Sequence, residues 1–277
     1  MYGCCSFRIR VMENNLFSIS KLIVLIHSDS YHWKKVWRTF RSKTADPHEL
    51  EISWIKLLSD DNLFRQVPLE MMDDELILYE SDIFLVNKEW SRGRIVSAKS
   101  QNGVELFILR MFYAAAVKKK RIFMHSSLID IKGKGIMFLG PSGIGKTTQA
   151  ELWNKYRDAL IINGDVVLVQ ETPDAFLGWG TPWHGSSPYC ENTSVPVAAM
   201  VVLKQAPKNS IRELTGFEKV TEVSNSVFYP QWVEGGMELC LETLDHLLTK
   251  IPVYELSCRP DEGAVELVEQ VVFGHVQ

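Results

Sequence analysis

Cysteine is scarce and badly placed for a covalent framework. The 277-residue chain has five, Cys4, Cys5, Cys190, Cys240 and Cys258, odd in number and widely scattered. No CxxC pair and no His/Cys spacing of a metal site occurs among them, so neither a disulfide scaffold nor a zinc module is indicated. A reducing, cytoplasmic compartment is the expectation. Long apolar runs are also missing. The longest early one, Leu22 to Ile26, has Lys21 before it and His27 after it, far short of the ~20 residues that cross a bilayer. Tyr31, Trp33, Lys34 and Lys35 follow where a leader would need small residues for cleavage, so the run reads as a buried strand. Positive charge is not in excess. Lys plus Arg is 30 against 34 Asp plus Glu, a net charge of −4, which argues against a general nucleic-acid or membrane-surface binder. Repeats and low-complexity linkers are absent too. What remains, 46% hydrophobic and 23% charged residues, is the balance of an ordinary folded chain.

The first ~100 residues carry short apolar runs, Leu22–Ile26, Leu76–Tyr79 and Ile83–Val86, broken by polar stretches. They predict a small α+β region of short strands with one or two helices. From about residue 101 a second region begins. Gly103 opens a helical stretch with Leu106, Leu109, Phe112 and Tyr113 near one face. Lys118 to Arg121 close it, where basic residues suit the negative helix end. Ser127–Ile131 and Gly135–Leu139 read as strands joined by a turn. Further strands are expected at Leu160–Ile162, Val166–Val169, Val197–Leu203 and Val253–Leu256. A helix is expected from Met237 to Leu248, with Met237, Leu239, Leu241, Leu244, Leu247 and Leu248 as its periodic apolar set. Another follows Pro260. Strands in close alternation with fewer helices predict a mixed α/β sheet with antiparallel pairs rather than a simple doubly wound one.

One segment carries specific chemistry. Gly140, Pro141, Ser142, Gly143, Ile144, Gly145, Lys146 and Thr147 match G-x-x-x-x-G-K-[ST] in full, followed by Thr148, between an expected strand and an expected helix. Glycines at 140, 143 and 145 let successive backbone N–H groups curl around an anion. The helix N-terminus adds partial positive charge. Lys146 reaches outer phosphates, and the Thr147 hydroxyl can ligate Mg²⁺ held between them. A nucleotide with Mg²⁺ is therefore the expected ligand. Such a site needs a carboxylate for the metal or for the incoming nucleophile. Asp165 follows the next strand and fits; its Asn163-Gly164 neighbours also read as a hairpin turn to Val166. His125 precedes the strand that leads into the loop, and by spacing alone it reads as an ordinary core or surface residue. Residues 178–189, dense in Gly, Pro and aromatics (Trp179, Trp183, His184, Tyr189), form either a binding loop or a packed surface loop.

The run from His125 through Asp130 and Gly133 to Thr147 resembles the core of the HPr kinase/phosphorylase family, related in fold to the phosphoenolpyruvate carboxykinases. It is closer still to the bacterial HPr-kinase-like serine kinases, which include kinases encoded with peptide natural-product clusters. Asn163–Asp165, Gly180–Trp183, Asn192–Pro196, Asn209–Arg212 and Pro252–Tyr254 match segments of that group, over residues ~122–272. The resemblance implies a P-loop kinase domain over 101–277; the smaller N-terminal α+β region, 1–100, lies outside it and is expected, independently of it, to present the substrate. It implies ATP-dependent transfer to a hydroxyl of a peptide, protein or small molecule, with assembly into homo-oligomers. Residue by residue, Gly140–Thr148 would hold ATP, Thr147 and Asp165 the metal, and Asp165, Lys146 and His125 would be catalytic. The chain departs from the family in one place. Where the family has two adjacent aspartates, this sequence has Gly164 and then Asp165. Asp165 alone then serves as base or as metal ligand, with His125 or His184 supplying the other task. No segment matches the family's HPr-contacting loop, so HPr itself is not carried over as the acceptor. Arg259 reads as a surface ion-pair partner, and Asn209 and Arg212 as groups that could close over a nucleotide. The reading from another class is an ATP-binding regulatory or maturation protein without transferase activity.

Overall fold

A computed structural model describes residues 13–28, 35–42, 47–54, 74–79, 82–97 and 101–274. Cys4 and Cys5 lie outside the described residues, as does the polar stretch Ser59–Asn62. The chain divides into two compact units that part after Ala115, within a long helix.

The first unit holds a six-stranded mixed sheet. Its strands are β1 (Glu13–Ile19), β2 (Leu22–Ser28), β3 (Leu50–Trp54), β4 (Asp74–Tyr79), β5 (Asp82–Asn87) and β6 (Arg92–Ser97), in the order β1-β2-β3-β6-β5-β4. Neighbours β2/β3 and β3/β6 run parallel, β4/β5 and β5/β6 antiparallel. The Leu22–Ile26 run is strand β2, with Leu22, Val24 and Ile26 buried. Helix α1 (Gln101–Val117) buries Val104, Phe107, Ile108 and Met111. Phe107 stacks on Phe84 of β5 with ring centroids 4.6 Å apart. A Cβ at Gly93 would lie 2.4 Å from the Met111 sulfur, so β6 has a glycine where the helix comes closest. Lys118–Lys120 are exposed at the helix end.

The second unit is built on an eight-stranded mixed sheet. Its strands are β7 (Arg121–Ile131), β8 (Lys134–Leu139), β9 (Leu160–Asn163), β10 (Val166–Glu171), β11 (Phe176–Trp179), β12 (Ser194–Gln205), β13 (Ser210–Glu213) and β14 (Val253–Cys258). The order is β11-β10-β7-β8-β12-β14-β13, with β9 also on β7 and β11 also on β12. Parallel pairs β8/β12 and β12/β14 sit among antiparallel ones. The mixed α/β architecture expected from the sequence is the one found. Four helices accompany the sheet, α2 (Lys146–Arg157), α3 (Gly216–Ser224), α4 (Gly236–Lys250) and α5 (Glu262–Phe273). Trp153 of α2 and Val265 and Val268 of α5 are fully buried with Ile129, Phe138, Val201 and Leu256 of the sheet. Each such side chain contributes about 1.5–3 kcal/mol of transfer free energy. Asp261 caps α5, its side chain accepting from the Ala264 N–H.

Two local expectations need correction. The Asn163-Gly164 step is not a hairpin. Strands β9 and β10 both run antiparallel to β7, with Leu128 opposite Asn163 and His125 opposite Val166. They are two pieces of one nearly continuous strand, interrupted at Gly164–Asp165. The Asn163 side chain makes the interruption by accepting from the Asp165 and Val166 N–H groups, at 2.8 and 3.0 Å. That local bond competes with the ladder, as Asx turns do. In α4, Leu241 is 48% exposed. The buried stripe instead runs through Cys240, Thr243, Leu244, Leu247 and Leu248, because Cys240 and Thr243 complete the 3.6-residue period that Leu241 breaks.

Candidate functional site

The glycine loop leaves β8 and enters α2. Gly140, Gly143 and Gly145 have φ of 136°, 80° and 116°, the left-handed region that side chains avoid. Lys146 is the first residue of α2 and is buried, 6% exposed. Its ammonium turns back along the loop and donates to the Gly140 and Pro141 carbonyls at 3.0 and 3.1 Å. Burial lowers its pKa from the ordinary lysine value, and the charge of Asp165 pushes it partly back. The Ser127 hydroxyl fixes the helix start by donating to the Lys146 carbonyl at 2.9 Å.

The interruption between β9 and β10 brings Asp165 to the same place. The Thr147 hydroxyl donates to the Gly164 carbonyl at 3.2 Å. His125, opposite Val166 in the sheet, puts Nε2 3.0 Å from Asp165 Oδ1. His125 is held in turn by its N–H donating to the Ser226 carbonyl at 2.7 Å, and the next N–H, of Ser126, donates to the Asp165 carbonyl at 2.9 Å. The structure therefore brings His125, Lys146 with Thr147, and Asp165 together from three separate stretches of sequence.

Of the Gly/aromatic segment 178–189, Gly178 and Trp179 end strand β11 rather than belonging to a loop, and the loop that follows packs over Asp165. Asn163 holds it by donating to the Thr181 carbonyl at 3.0 Å, and the Thr181 hydroxyl donates to the Val166 carbonyl at 2.7 Å. Trp183 packs edge-on against Phe123. His184 is bonded within its own loop, to the Ser187 carbonyl. Gly185 comes so close that a Cβ there would be 2.4 Å from Asp165 Oδ2. Ser187 fills the space above Gly164, where a Cβ would meet the serine oxygen at 1.9 Å. Sequence reasoning missed Asn163 and Ser187. The only signal for either was its place beside Asp165 or in a serine-bearing glycine loop.

A cleft of about 620 Å³ opens beside the glycine loop, within the ~300–1,000 Å³ of small-ligand sites. Gly143, Gly145, Thr148, Leu203 and Cys258 line it, with Arg259 at its edge. Loop, lysine and cleft fit a nucleoside triphosphate. Arg259 pairs with Asp261 at 2.8 Å, as expected of a surface partner. Asn209 donates to Asp261 at 2.6 Å, and Arg212 pairs with Glu218 and Glu255.

Fold and site define a mixed α/β domain with a phosphate-loop sequence and an adjoining Asp–His pair. Residues 99–273 match the family model described as SynChlorMet cassette protein ScmC, and the chain belongs to that family. It is also 23% identical, over 152 residues, to the HPr kinase/phosphorylase of Mycoplasmopsis pulmonis (strain UAB CTIP), a distant relationship. That match takes in 54% of this chain and 47% of the relative, so the chain spans about half the length of the curated protein. Among solved structures, the Hpr(Ser) kinase/phosphatase from Coxiella burnetii aligns with 55% of this chain and 95% of its own, at 12% identity and a TM-score of 0.33. Among the described residues, no helix is long and apolar enough to cross a membrane.

Proposed function

We propose that this protein is an ATP-dependent kinase that transfers the γ-phosphoryl group to a hydroxyl, a serine of a peptide, a protein or a small molecule. The observation that carries the reading is the placement of Asp165, hydrogen-bonded to His125, beside the start of the loop-following helix. Phosphoryl transfer asks little covalent chemistry of a protein; it asks for positioning, charge neutralisation and a proton acceptor. The loop N–H groups and Lys146 would hold the phosphates, and the cleft lined by Leu203 and Cys258 would take the nucleoside. Thr147 would hold Mg²⁺, which supplies positive charge between the phosphates, and Asp165 would serve as the base. His125 fixes one oxygen of Asp165 and leaves the other, Oδ2, to take the acceptor's proton. The first unit is assigned to presenting the acceptor, and a cytoplasmic homo-oligomer is the setting this chemistry fits.

Incubating purified protein with γ-labelled ATP and Mg²⁺ tests the proposal, using free serine and peptides encoded beside the gene as acceptors. Label should reach one acceptor and be lost with Lys146→Ala. Gly164, which leaves a single carboxylate at this point, favours a second reading, an ATP-binding regulator without transfer. ATP binding with no label on any acceptor would support it.

The cleft has its own test. Burial pushes the Cys190 thiol up to about 12, and also raises Cys258. At pH 8, iodoacetamide should therefore leave Cys190 unmodified and label Cys258 slowly, since the thiolate is the reactive form. ATP should slow Cys258 labelling further, read by peptide mass mapping. A rate indifferent to ATP would place the nucleotide elsewhere.

A further inference from the structure

Ser187 is buried, 7% exposed, in a loop whose other members at 185 and 186 are open to solvent. Three observations single out its hydroxyl. It lies directly over the Cα of Gly164: a Cβ there would be 1.9 Å from Ser187 Oγ and 3.7 Å from Thr147 Oγ1. The Ser187 side chain, close to the Thr147 hydroxyl, thus fills a space that is open to it only because residue 164 has no side chain. Two residues earlier in the loop, Gly185 rests against Asp165 Oδ2, the oxygen that His125 does not hold. Finally, the hydroxyl accepts from the Tyr189 N–H at 3.3 Å, and among the described residues its own proton has no acceptor. The loop is not placed there casually. Asn163 and Thr181 tie its first half to the strand that carries Asp165, and the Glu191 N–H, donating to the Ile162 carbonyl at 2.8 Å, ties its end.

We infer that Ser187 is an acceptor of the phosphoryl group within its own chain, so that the loop over 181–191 occupies the acceptor position until another hydroxyl displaces it. This rests on the kinase reading above and names one substrate for that site. In the step, Ser187 Oγ bonds to the γ-phosphorus of ATP. The bond from that phosphorus to the bridging β,γ oxygen breaks, and its electron pair leaves on ADP. The hydroxyl proton passes to Asp165. A phosphorylated Ser187 can no longer sit over Gly164 in the same way, because the serine side chain already fills the space that the absent Cβ leaves and the added group has no room there. Gly185, at φ 56°, is the loop residue best suited to a changed path.

The test uses the full-length protein with γ-labelled ATP and Mg²⁺, with and without free serine, followed by mapping of the phosphorylated peptide. The expected result is one phosphate on Ser187, gained at a rate per molecule that does not change with protein concentration. Ser187→Ala should abolish it and Ser186→Ala should keep it, while Asp165→Asn should slow it by about 10²- to 10⁴-fold. Label on free serine with none on the protein would overturn the inference and leave the kinase reading standing. So would a phosphate mapped to Ser186, or a rate that rises with protein concentration. ATP binding with no label anywhere would remove both. Mapping on the wild-type chain keeps the test decisive even where a loop variant fails to fold.

Discussion

Asp165→Asn is expected to lower phosphoryl transfer to any acceptor by about 10²- to 10⁴-fold, the usual worth of a positioned general base. ATP affinity at neutral pH should stay within a few-fold. The substitution keeps the shape of the side chain and an oxygen that can still accept from His125 Nε2, 3.0 Å away in the native site. What it removes is a negative charge and a place for the proton. Isothermal titration with ATP and a labelled-transfer assay separate the two effects. An equal loss in both would mean that Asp165 only holds the loop together. The variant also makes a pH prediction. Burial lowers the Lys146 pKa, and the Asp165 charge raises it again. With the charge gone, the lysine loses its proton at a lower pH than in the native protein. Above that pH the phosphates lose their cation, so the alkaline fall-off of ATP binding should move to lower pH in Asp165→Asn. A fall-off that stays put, or moves up, would show that Lys146 and Asp165 do not feel each other.

Some of this site could be read from residues in a row. The glycine loop is a local device, so its three left-handed glycines, Lys146 and Thr147 were legible as a unit. Asp165 was legible as a carboxylate after the next strand. Its partner was legible only through the family resemblance and not from spacing, because His125 lies forty positions earlier and meets Asp165 only through the β7/β10 register. The hairpin reading of Asn163-Gly164 failed for a related reason. The dipeptide favours a tight turn, but β7 offers one edge long enough to receive both flanking strands in line, and the Asn163 side chain satisfies the two N–H groups that the jog exposes. Leu241 misled by composition: a leucine in a helical period counts as buried until the residues around it show a better stripe. Ser187 could not be read at all, since its role depends on a loop returning over a glycine more than twenty residues away.

That return makes Gly164 and Ser187 a coupled pair, and Gly164→Ala is the variant that exposes it. The added methyl would lie 1.9 Å from Ser187 Oγ and 2.5 Å from its Cβ, so the loop must move or the strand must. Overpacking of this kind costs about 1–3 kcal/mol. In a chain of this size that is a fall in Tm of roughly 2–4 °C per kcal/mol. The obstacle is a side chain, so it can be removed: Gly164→Ala combined with Ser187→Gly should recover most of the loss, a non-additivity that contacting residues show and distant ones do not. Gly180 provides the contrast. A Cβ there would stand 1.9 Å from the Glu191 carbonyl oxygen, which is main chain. Both strands of that approach are tied, Gly180 N–H to the Thr193 carbonyl at 3.0 Å and Glu191 N–H to the Ile162 carbonyl at 2.8 Å. Gly180→Ala should therefore cost at least as much, and no side-chain change at 191 should relieve it. Thermal unfolding of these three variants, and of Ser187→Gly alone to close the cycle, decides the matter. If Gly164→Ala is harmless, or if Ser187→Gly fails to rescue it, the serine does not lie over the glycine, and the loop must carry something other than a hydroxyl to Asp165.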